Sequence, residues 1–530
     1  MSHPVDDLRA AVARAATAVA GEAPATIVIE RPKQAEHGDY ATNVAMMLAK
    51  AAKAPPRDVA GRVAEQLAGE LGSALVRTEV AGPGFLNLFL ADAWYADALA
   101  HVLAQPHFGS GTATAPERVN VEFVSANPTG PLHVGHARNA AYGDALASLL
   151  SFAGHDVVRE YYVNDYGSQV VNLGRSVQAR ARGEDVPEDG YVGEYVATLA
   201  LEIPDAATRP VEDVARDAVD VMLGRIKASL HAFGVDHDVW ASERTLHEGG
   251  QVPHAFEVLG NLGYTYESEG ALWLRTTDFG DDKDRVLQRS TGEHTYFASD
   301  IAYALDKQER GFERMIFVLG ADHHGYIGRM KAMFSALGHD PDALDILIMQ
   351  FVHLVRGEER SSMSKRAGEF VTLDELVEEI GVDAARWYLL SRSHDTTIEL
   401  DLELAKTESA DNPVYYVQYA HARIASLLRK AGEDAEPAVE LAGELHPSER
   451  ALVLKLLAWP GEAAEAADRR AVHRVGIYAL ELAQTFTAFY RDCPVVGSEE
   501  QAFRLALSVA TQRTIAQALD LLGVSAPDEM

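Results

Sequence analysis

The spacing of apolar residues changes along the chain, and its first section predicts a small α/β domain over residues 1–110. Helical and strand-like spacings alternate here, and GSGTATAPE at 109–117 is rich in small and turn residues, which predicts a boundary. The predicted elements are a helix at about 5–20, the strand TIVIE, a helix from Asn43 to about Lys53, and the strand FLNLFL after the turn AGPG at 81–84.

The second section, residues 117–370, predicts a parallel sheet with helices packed on it. The apolar run VNVEFV leads into NPTGPLHVGH, then a helical segment that ends at Gly154, then the strand DVVREYYV. This order of strand, loop, helix and strand is the building block of parallel nucleotide-binding sheets. Residues of about 170–232 are mostly helical and charged, and they predict an insertion. Further strand candidates are 271–277, 314–320 and 345–355.

From residue 371 onward the spacing is helical throughout. We expect a connecting stem over 371–410 and an all-helical domain over 411–530, with a solvated Ala- and Glu-rich linker at 431–445. The predicted fold class is therefore multidomain α/β, with a Rossmann-like parallel domain between a small α/β domain and a helical one.

Composition supports several ordinary globular domains. The chain has 530 residues, of which 47% are hydrophobic and 24% charged, and its mean hydropathy is −0.10. Cys493 is the only cysteine, which excludes an intrachain disulfide framework and a multi-cysteine zinc site. We interpret Cys493 as a buried structural thiol.

The distribution of charge bears on location and partners. The sequence has no uncharged apolar run of about 18 residues, and its charged N-terminus does not fit a signal peptide, so we expect a cytoplasmic protein without a membrane segment. The formal net charge of −32 disfavours nonspecific adhesion to nucleic acid or anionic membranes. Any nucleic-acid partner must be held by local basic patches; alternatively, the acid excess only keeps the protein in solution.

Two histidines lie where the first strand of the parallel domain turns into a helix, in PTGPLHVGHARN at 128–139. Exposed N–H groups and the helix dipole make such a turn an anion site, and Gly135 lets a ligand approach the backbone. We expect the rings of His133 and His136 to donate to phosphate oxygens. A metal pair would need further ligands, and none has an obvious spacing; a third interpretation is that both histidines only cap and pack the helix.

A second candidate motif is SSMSKRAG at 361–368, directly after the last apolar strand. A lysine in such a segment is usually only solvated. A cationic, glycine-ended segment opposite the HxGH turn is different, because the two together could hold a triphosphate from both sides. The pair of motifs therefore predicts a nucleotide triphosphate site.

With these motifs the chain resembles the class I aminoacyl-tRNA synthetases, whose HIGH and KMSKS motifs match residues 133–136 and 362–366. Within that class it resembles the arginyl-tRNA synthetases nearly end to end. The segments that carry the likeness include HGDYATNVAM, VEFVSANPTGPLHVGHARNAAYGDALA, YYVNDYGSQ, TYFASDIAYALDK, VLGADHHGYIGRMKA, MSKRAGEFVTLDELVEEIGVDAARWYLLSRS and DNPVYYVQYAHARI.

The resemblance implies an arginine-tRNA ligase that uses ATP and Mg²⁺, with no structural zinc. In that reaction the amino-acid carboxylate attacks the α-phosphate and pyrophosphate leaves, so catalysis consists of positioning and charge neutralisation. The resemblance assigns catalytic roles to His133, His136 and Lys365. It also implies a catalytic parallel domain with an inserted helical segment, an N-terminal tRNA-binding domain and a helical anticodon-binding domain.

Two positions depart from the family pattern. Ser362 replaces the first lysine of KMSKS, whereas Lys365 keeps the second. Some arginyl enzymes that lack the second lysine resemble one another in carrying a lysine three residues before the HIGH motif, and that position is Gly130 here. We expect one essential cation, on the Met-Ser-Lys segment.

The substrate pocket that the resemblance implies fits the chemistry of arginine. A guanidinium is planar and always charged, so a selective pocket needs carboxylates placed for bidentate contact. The family pattern points to Glu122, Asn127, Tyr296 and Asp300, and also to Glu243. Tyr296 and Asp300 are four residues apart, which places them on one helical face. The alternative is that these acids belong to the general charged surface.

The resemblance implies further contacts with ATP and with tRNA. Asp322, His323 and His324 follow a strand, at the edge where ligands bind in such sheets; a metal site is the alternative. The expected ATP contacts are Gly135, Asp322, His323, His324, Met363 and Ser364. Aromatic residues of the helical domain could stack on anticodon bases, although such tyrosines are often buried. The expected tRNA contacts are Tyr40, Asn43, Tyr415, Tyr416, Tyr419 and His421.

Two other function classes stay open at the level of sequence. One is another HxGH nucleotidylyltransferase, which would not need the helical C-terminal third. The other is a noncatalytic tRNA-binding paralogue, which the presence of His133, His136 and Lys365 disfavours. The resemblance suggests a monomer that binds tRNA(Arg), L-arginine and ATP.

Overall fold

The N-terminal domain packs four helices around a three-stranded antiparallel sheet of order β1-β3-β2. A computed structural model of the chain describes residues 3–356, 359–360, 371–432 and 435–530. The elements of this domain are α1 (Pro4–Ala20), β1 (Tyr40–Thr42), α2 (Val44–Leu48), α3 (Pro56–Leu71), β2 (Leu75–Ala81), β3 (Phe85–Leu90) and α4 (Asp92–Leu103).

The middle domain is built on a five-stranded parallel sheet of order β11-β10-β4-β5-β6, and a small antiparallel sheet β7-β8-β9 lies beside its helices. Its elements are β4 (Arg118–Phe123), α5 (Val134–Ala153), β5 (Asp156–Val163), α6 (Ser168–Arg182), α7 (Glu194–Glu202), α8 (Val211–Ala232), β6 (Val239–Ser242), α9 (Glu243–Glu248), α10 (Gln251–Asn261), β7 (Thr265–Ser268), β8 (Ala271–Leu274), β9 (Arg285–Gln288), α11 (Tyr296–Glu309), β10 (Arg314–Gly320), α12 (Ile327–Ala336) and β11 (Leu344–Met349).

The burial of β4 explains why this sheet is parallel and central. Every residue of β4 after Arg118 is buried, including the polar Asn120 and Glu122. Strands covered on both faces are typical of parallel sheets with crossover helices. Helices α6, α7 and α8 form a core of their own, with Leu173, Val177 and Leu199 buried in it, as expected for an insertion.

The stem and the C-terminal helical domain complete the chain. A second small sheet, of order β13-β12-β14, leads into the stem helices. The elements are β12 (Val352–Arg356), β13 (Glu359–Arg360), α13 (Leu373–Ile380), α14 (Val382–Leu389), β14 (Ile398–Asp401), α15 (Leu402–Ala405), α16 (Pro413–Ala431), α17 (Pro447–Leu457), α18 (Trp459–Asp468), α19 (His473–Asp492) and α20 (Gln501–Leu521). Among the described helices, none is both long and apolar enough to cross a membrane.

One buried arginine joins the middle domain, the stem and the C-terminal domain. Arg386 of α14 donates to Asp144 Oδ2 of α5 at 2.6 Å, to the Phe233 carbonyl at 3.3 Å and to the Leu522 carbonyl at 2.8 Å. Gly523 has a φ of +63°, and a Cβ there would lie 2.3 Å from the guanidinium. A side chain at this position would therefore displace the arginine.

The fold class agrees with the prediction, but several predicted elements were wrong. TIVIE is not a strand; Glu30 alone forms an antiparallel bridge, with Ala41. The helix predicted from Asn43 to Lys53 ends at Leu48. These short N-terminal segments are held by tertiary contacts, so their spacing was a weak guide.

Three predicted segments of the second half also differ. The run 345–355 is two strands, β11 and β12, which belong to different sheets. The strand candidate 271–277 belongs to the separate antiparallel sheet. The region after residue 371 is not entirely helical, because β14 pairs in parallel with β12.

Candidate active site

The candidate residues collect at the carboxyl edge of the five-stranded sheet. β4 is its first strand along the chain, and it is flanked by β5 and by β10. Connections leave this point in opposite directions, so a crevice is expected beside β4, where ligands bind in such sheets. Asn127 follows β4, Glu243 follows β6 and Asp322 follows β10.

The HxGH turn begins helix α5 with a reciprocal cap. His133 is the N-cap, and its Nδ1 accepts from the Gly135 N–H at 3.1 Å. His136 Nδ1 accepts from the His133 N–H at 3.3 Å, and the two rings stack at 3.8 Å between centroids. Because each Nδ1 is an acceptor, the proton of each neutral ring is on Nε2. The capping interpretation therefore accounts for the Nδ1 atom of each ring, and the Nε2–H group of each ring is a donor.

The chain segment after the Met-Ser-Lys motif lies directly against this turn. His133 and Thr372 form an antiparallel bridge. The Val134 N–H donates to the Val371 carbonyl at 3.2 Å, and the Leu373 N–H donates to the Leu132 carbonyl at 2.9 Å. Met363, Ser364 and Lys365 lie outside the described residues. The backbone that follows them is nevertheless fixed beside the first turn of α5.

Glu243 and Asp300 lie close enough to interact electrostatically, and together they form an acidic pocket. Glu243 is the first residue of α9, and its side chain is 3% exposed. Tyr162 and Ser299 donate hydrogen bonds to its carboxylate, and His247 Nε2 lies 3.7 Å from Glu243 Oε1. Among the described residues, no lysine or arginine forms an ion pair with either acid. The pocket can therefore accept a cation.

The pKa values of both acids are raised, mainly by burial. Burial raises the pKa of Glu243 to about 7, and the nearby Asp165 adds to the shift. Burial also raises the pKa of Asp300 to about 7, with Glu243 and Glu122 acting in the same direction and Arg329 opposing them. Acids shifted by burial and like charge in a cleft are typical of functional sites. A guanidinium between them would favour the ionised forms.

Glu122 has a cationic partner inside the protein. Lys307 Nζ lies 2.6 Å from Glu122 Oε2, and the Lys307 side chain is 0% exposed. Ser125 Oγ donates to Glu122 Oε1 at 3.1 Å. The predicted arginine ligand is thus part of a buried ion pair behind the pocket, rather than an open carboxylate.

Asn127 and Tyr296 lie at the mouth of the pocket. Asn127 is exposed, and its side-chain amide donates to Gln169 Oε1 at 2.7 Å. Tyr296 begins α11 and is 63% exposed. The Gly167 position at the start of α6 lies close to the Tyr296 hydroxyl, since a Cβ there would be 3.9 Å away. Both polar groups can therefore meet a ligand that enters from solvent.

The residues after β10 form an exposed wall. Ala321–Tyr326 is a 3₁₀ helix, in which Asp322 is exposed and His323 Nε2 lies 3.8 Å from Asp322 Oδ2. The side chain of His324 lies outside the described part of the structure. Across the described residues, no three histidine, cysteine, aspartate or glutamate side chains are grouped as metal ligands would be.

The predicted tRNA contacts divide by exposure. Tyr40 is 4% exposed and His421 is 5% exposed, and His421 Nδ1 hydrogen-bonds to the Pro527 carbonyl at 2.9 Å. Tyr416 is half-buried and donates to Thr487 at 2.9 Å. Tertiary packing therefore covers Tyr40 and His421, and it covers Tyr416 in part.

The other three predicted tRNA contacts, Asn43, Tyr415 and Tyr419, are half-buried or exposed. Asn43 is half-buried at the start of α2. The rings of Tyr415 and Tyr419 stack at 6.0 Å, and the Arg423 guanidinium lies 4.6 Å above the Tyr419 ring. Tyr419 is 40% exposed. This face combines aromatic and cationic groups, which suits single-stranded bases.

Several residues that build the site were not singled out from sequence. Lys307, Tyr162, Ser125 and Asp165 surround the predicted acids; the Asp165 carboxylate accepts from Ser242 Oγ at 2.7 Å. The available signal in the sequence was the position of Lys307, seven residues after Asp300, which places both charged residues on the same face of one predicted helix. A lysine on a helix is ordinarily solvated, so this signal was weak.

Comparison with known families covers nearly the whole chain. Three family models match: "Arginyl tRNA synthetase N terminal domain" over residues 6–90, "tRNA synthetases class I (R), catalytic domain" over 98–186 and 220–426, and "DALR anticodon binding domain" over 417–530. The chain is similar to an arginine–tRNA ligase of Moorella thermoacetica, with 46% identity, 98% of this chain and 97% of the relative being covered.

Solved structures show the same architecture. The fold is similar to that of Thermus thermophilus arginyl-tRNA synthetase, with a TM-score of 0.79, 26% identity and full coverage of both chains. A Mycobacterium tuberculosis methionyl-tRNA synthetase is similar in fold alone, with a TM-score of 0.55, 14% identity, 78% of this chain and 92% of that chain covered. The predicted fold class and the predicted family are confirmed.

Proposed function

The chain belongs to the class I arginyl-tRNA synthetases, and from this premise we propose how its residues perform the reaction. The protein activates L-arginine with ATP and transfers it, through an arginyl-adenylate, to the 3′ end of tRNA(Arg). The observation that carries the proposal is the pairing of a capped HxGH turn with a cation-deficient acidic pocket at one sheet edge.

The HxGH turn and the Met-Ser-Lys segment hold the triphosphate. The N-terminus of α5 offers backbone N–H groups and a positive dipole end. His133 and His136 donate through Nε2 to the phosphates, and Lys365 neutralises charge from the other side. The bridge between His133 and Thr372 supports this assignment, because it holds the chain just after the motif against the turn. Gly135, Met363 and Ser364 approach the nucleotide.

The exposed residues after β10 form the wall of the nucleotide site. Asp322, His323 and His324 contact the nucleotide in this proposal, and ATP enters as its Mg²⁺ complex. Mg²⁺ is commonly held by substrate phosphates together with one or two carboxylates and waters, so it does not need a protein cage.

Arginine is bound in the acidic pocket. Asp300 and Glu243 take the guanidinium, Tyr296 and Asn127 contact the ligand at the mouth, and Glu122 adds negative charge from behind. Bound in this way, the arginine carboxylate is directed toward the α-phosphate for in-line attack, and pyrophosphate leaves. Positioning and charge neutralisation supply the rate acceleration.

The two outer domains bind tRNA. The N-terminal domain contacts the tRNA elbow, with Asn43 as the more accessible of its two predicted contacts, and the exposed face of Tyr415, Tyr419 and Arg423 stacks on anticodon bases. We further propose that the protein works as a monomer in the cytoplasm, where tRNA is charged for translation.

The test is a charging assay over all twenty amino acids with ATP, Mg²⁺ and tRNA. We expect arginine alone to be attached, and arginine-dependent pyrophosphate exchange to require tRNA. Charging with a different amino acid would refute the assignment of the pocket. Adenylate formation without any transfer to tRNA would instead favour another HxGH nucleotidylyltransferase.

His133→Asn separates the two roles of the HxGH turn. Asparagine is a good N-cap, so the thermal midpoint should stay near that of the wild type while the imidazole donor is lost. Adenylate formation should slow on the order of 100-fold, as is typical when one donor to developing charge is removed. Full activity in this variant would show that the ring of His133 only caps the helix.

A further inference from the structure

Two buried glutamates lie side by side on the central sheet. Glu122 of β4 and Glu160 of β5 are register partners in a parallel pair, so their side chains are on the same face. Their side chains are 7% and 0% exposed. Neighbouring buried carboxylates are unfavourable unless each is paired with a cation or a hydrogen-bond donor.

Helix α11 supplies both cations from a single face. Lys307 binds Glu122 at 2.6 Å, and Arg310 donates to both oxygens of Glu160 at 2.8 Å. Asp300 lies on the same helix, seven residues before Lys307, which corresponds to about two turns. Lys307 is nearer to Asp300 along the helix than Arg310 is, so the Lys307–Glu122 pair is the contact that holds this part of α11 against β4.

The ammonium group of Lys307 is enclosed. Its Nζ lies 4.3 Å from the centroid of the Tyr303 ring and 4.2 Å from that of Phe317, distances at which a cation is attracted by an aromatic face. Its side chain is fully buried. Lys307 therefore has little room to leave Glu122.

The second oxygen of Glu122 is also occupied. Ser125 Oγ donates to Glu122 Oε1, and the Tyr162 N–H donates to Ser125 Oγ at 3.1 Å. Val124 and Ser125 have φ values of 68° and 41°. A β-branched residue in this region is strained and persists only when its surroundings hold it. The strained exit of β4 thus turns the serine back onto the glutamate.

We propose that Lys307 is a positioning residue of the arginine pocket, which holds Glu122 as a fixed negative charge so that the substrate cation is taken by Asp300 and Glu243. Glu122 then acts on the ligand through space, and α11 is locked in the orientation that presents Asp300. This inference rests on the arginine pocket of the proposed function.

The test compares Lys307→Met with Arg310→Met. Methionine fills a similar volume without charge, and Arg310 forms the neighbouring ion pair of the same helix face. We expect Lys307→Met to raise the KM for arginine about 10-fold, with a smaller change in the KM for ATP. We also expect the pH midpoint of kcat/KM for arginine to rise, because an uncompensated Glu122 opposes ionisation of Asp300 and Glu243.

Arg310→Met should lower the thermal midpoint while leaving both the KM for arginine and the pH midpoint near the wild-type values. Equal changes in the two variants would overturn the proposal, since they would indicate a purely structural role for Lys307. Lys307→Arg keeps the charge and should bring the pH midpoint back toward the wild type; a midpoint as high as that of Lys307→Met would also contradict the proposal.

If Lys307→Met does not fold, Lys307→Met/Glu122→Gln removes both charges together. This double variant should fold, and its pH midpoint should lie at or below that of the wild type; a higher midpoint would refute the role given to Glu122. The proposed function fails separately, if Asp300→Asn leaves the KM for arginine unchanged.

Discussion

Glu122 and Glu160 on the sheet, and Glu243 and Asp300 at its carboxyl edge, are two pairs of acids in one domain with different surroundings. The sheet pair is bound by Lys307 and Arg310. Burial alone would raise the pKa of Glu160, but Lys307 and Arg310 hold it below its usual value. The edge pair has pKa values raised to about 7. Burial is common to both pairs, so it does not by itself identify a binding site.

The difference lies in which molecule supplies the cation. The protein supplies a cation to each acid of the sheet pair. In the proposed site the edge pair receives its cation from the ligand, and a guanidinium has the charge and the donor geometry to fill that place. The raised pKa values of Glu243 and Asp300 therefore distinguish these two acids from Glu160, whose pKa is lowered.

The largest expected effect is a loss of stability caused by Arg310→Met. Removing one member of a buried ion pair leaves the other uncompensated, which typically costs about 3–5 kcal/mol. Because Arg310 is partly exposed and Glu160 keeps Tyr303 and Asn120 as donors, we expect the lower end of that range, measured by urea denaturation. A loss below about 1 kcal/mol would show that the sheet pair does not depend on its cation.

Asp300→Asn should affect activity rather than folding. Truncating one partner of a buried charge contact costs about 2–5 kcal/mol in binding, so kcat/KM for arginine should fall on the order of 100-fold or more. The thermal midpoint should not fall, because the wild-type carboxylate is destabilised by its burial. Glu309→Gln, an exposed acid of the same helix, is the matched control and should behave like the wild type.

The pH dependence of arginine use should follow the edge pair. Glu243 and Asp300 must be ionised to bind a guanidinium, and their pKa values are about 7 in the free protein. The charged or titratable groups that face them are Glu122, Tyr162, Asp165, His247 and Arg329. We expect kcat/KM for arginine to fall about 10-fold or more from pH 8 to pH 6, with a steeper fall than kcat at saturating arginine. A flat profile would contradict the assignment.

The same shifts give the edge pair and Glu160 opposite effects on stability. A raised carboxyl pKa in the folded state disfavours folding at high pH, so the edge pair should make the ligand-free protein more stable as the pH falls from 8 to 6. The lowered pKa of Glu160 contributes stability above its unfolded value of about 4.5, and this stability is lost as the pH falls below that value. Thermal midpoints measured without arginine, from pH 8 to pH 6 for the edge pair and below the unfolded pKa for Glu160, test the two effects separately.

The smallest effect is expected for an exposed acid of the same sheet. Asp156 lies 3.4 Å from Arg118, and its side chain is 73% exposed. Exposed ion pairs contribute about 0–1 kcal/mol, so Asp156→Asn should change stability by about 0.5 kcal/mol or less and leave the KM for arginine unchanged. A loss comparable to that of Arg310→Met would remove the distinction between buried and exposed pairs.

Much of the architecture could be predicted because it follows from the spacing of apolar residues within each segment. The strand before Asn127, the helix after the HxGH turn and the helical C-terminal domain all follow from apolar periodicity. The division of 345–355 could not be predicted in this way, because both halves are apolar and only their distant partners assign them to different sheets. Strand partners are set by tertiary contacts, which spacing does not contain.

The residues of the site also differ in whether local sequence could identify them. His133, Asp300 and Glu243 could be named from motifs, and each lies at the sheet edge. That Glu122 is bound by Lys307, 185 residues later in the chain, could not be read from either segment alone. The burial of Tyr40 in β1 and of His421 in α16 was hidden for the same reason, since the residues that cover them are distant in the sequence.

The bridge between His133 and Thr372 has a consequence for the order in which the protein matures on the ribosome. The HxGH turn is synthesised early, but its backbone partner emerges only after the whole parallel sheet has been made. A nascent chain that ends before Val371 can form the sheet, yet it lacks the strand that closes the turn. The proposed nucleotide site is therefore among the last parts of the middle domain to be completed, and we expect chains released early to lack adenylate-forming activity.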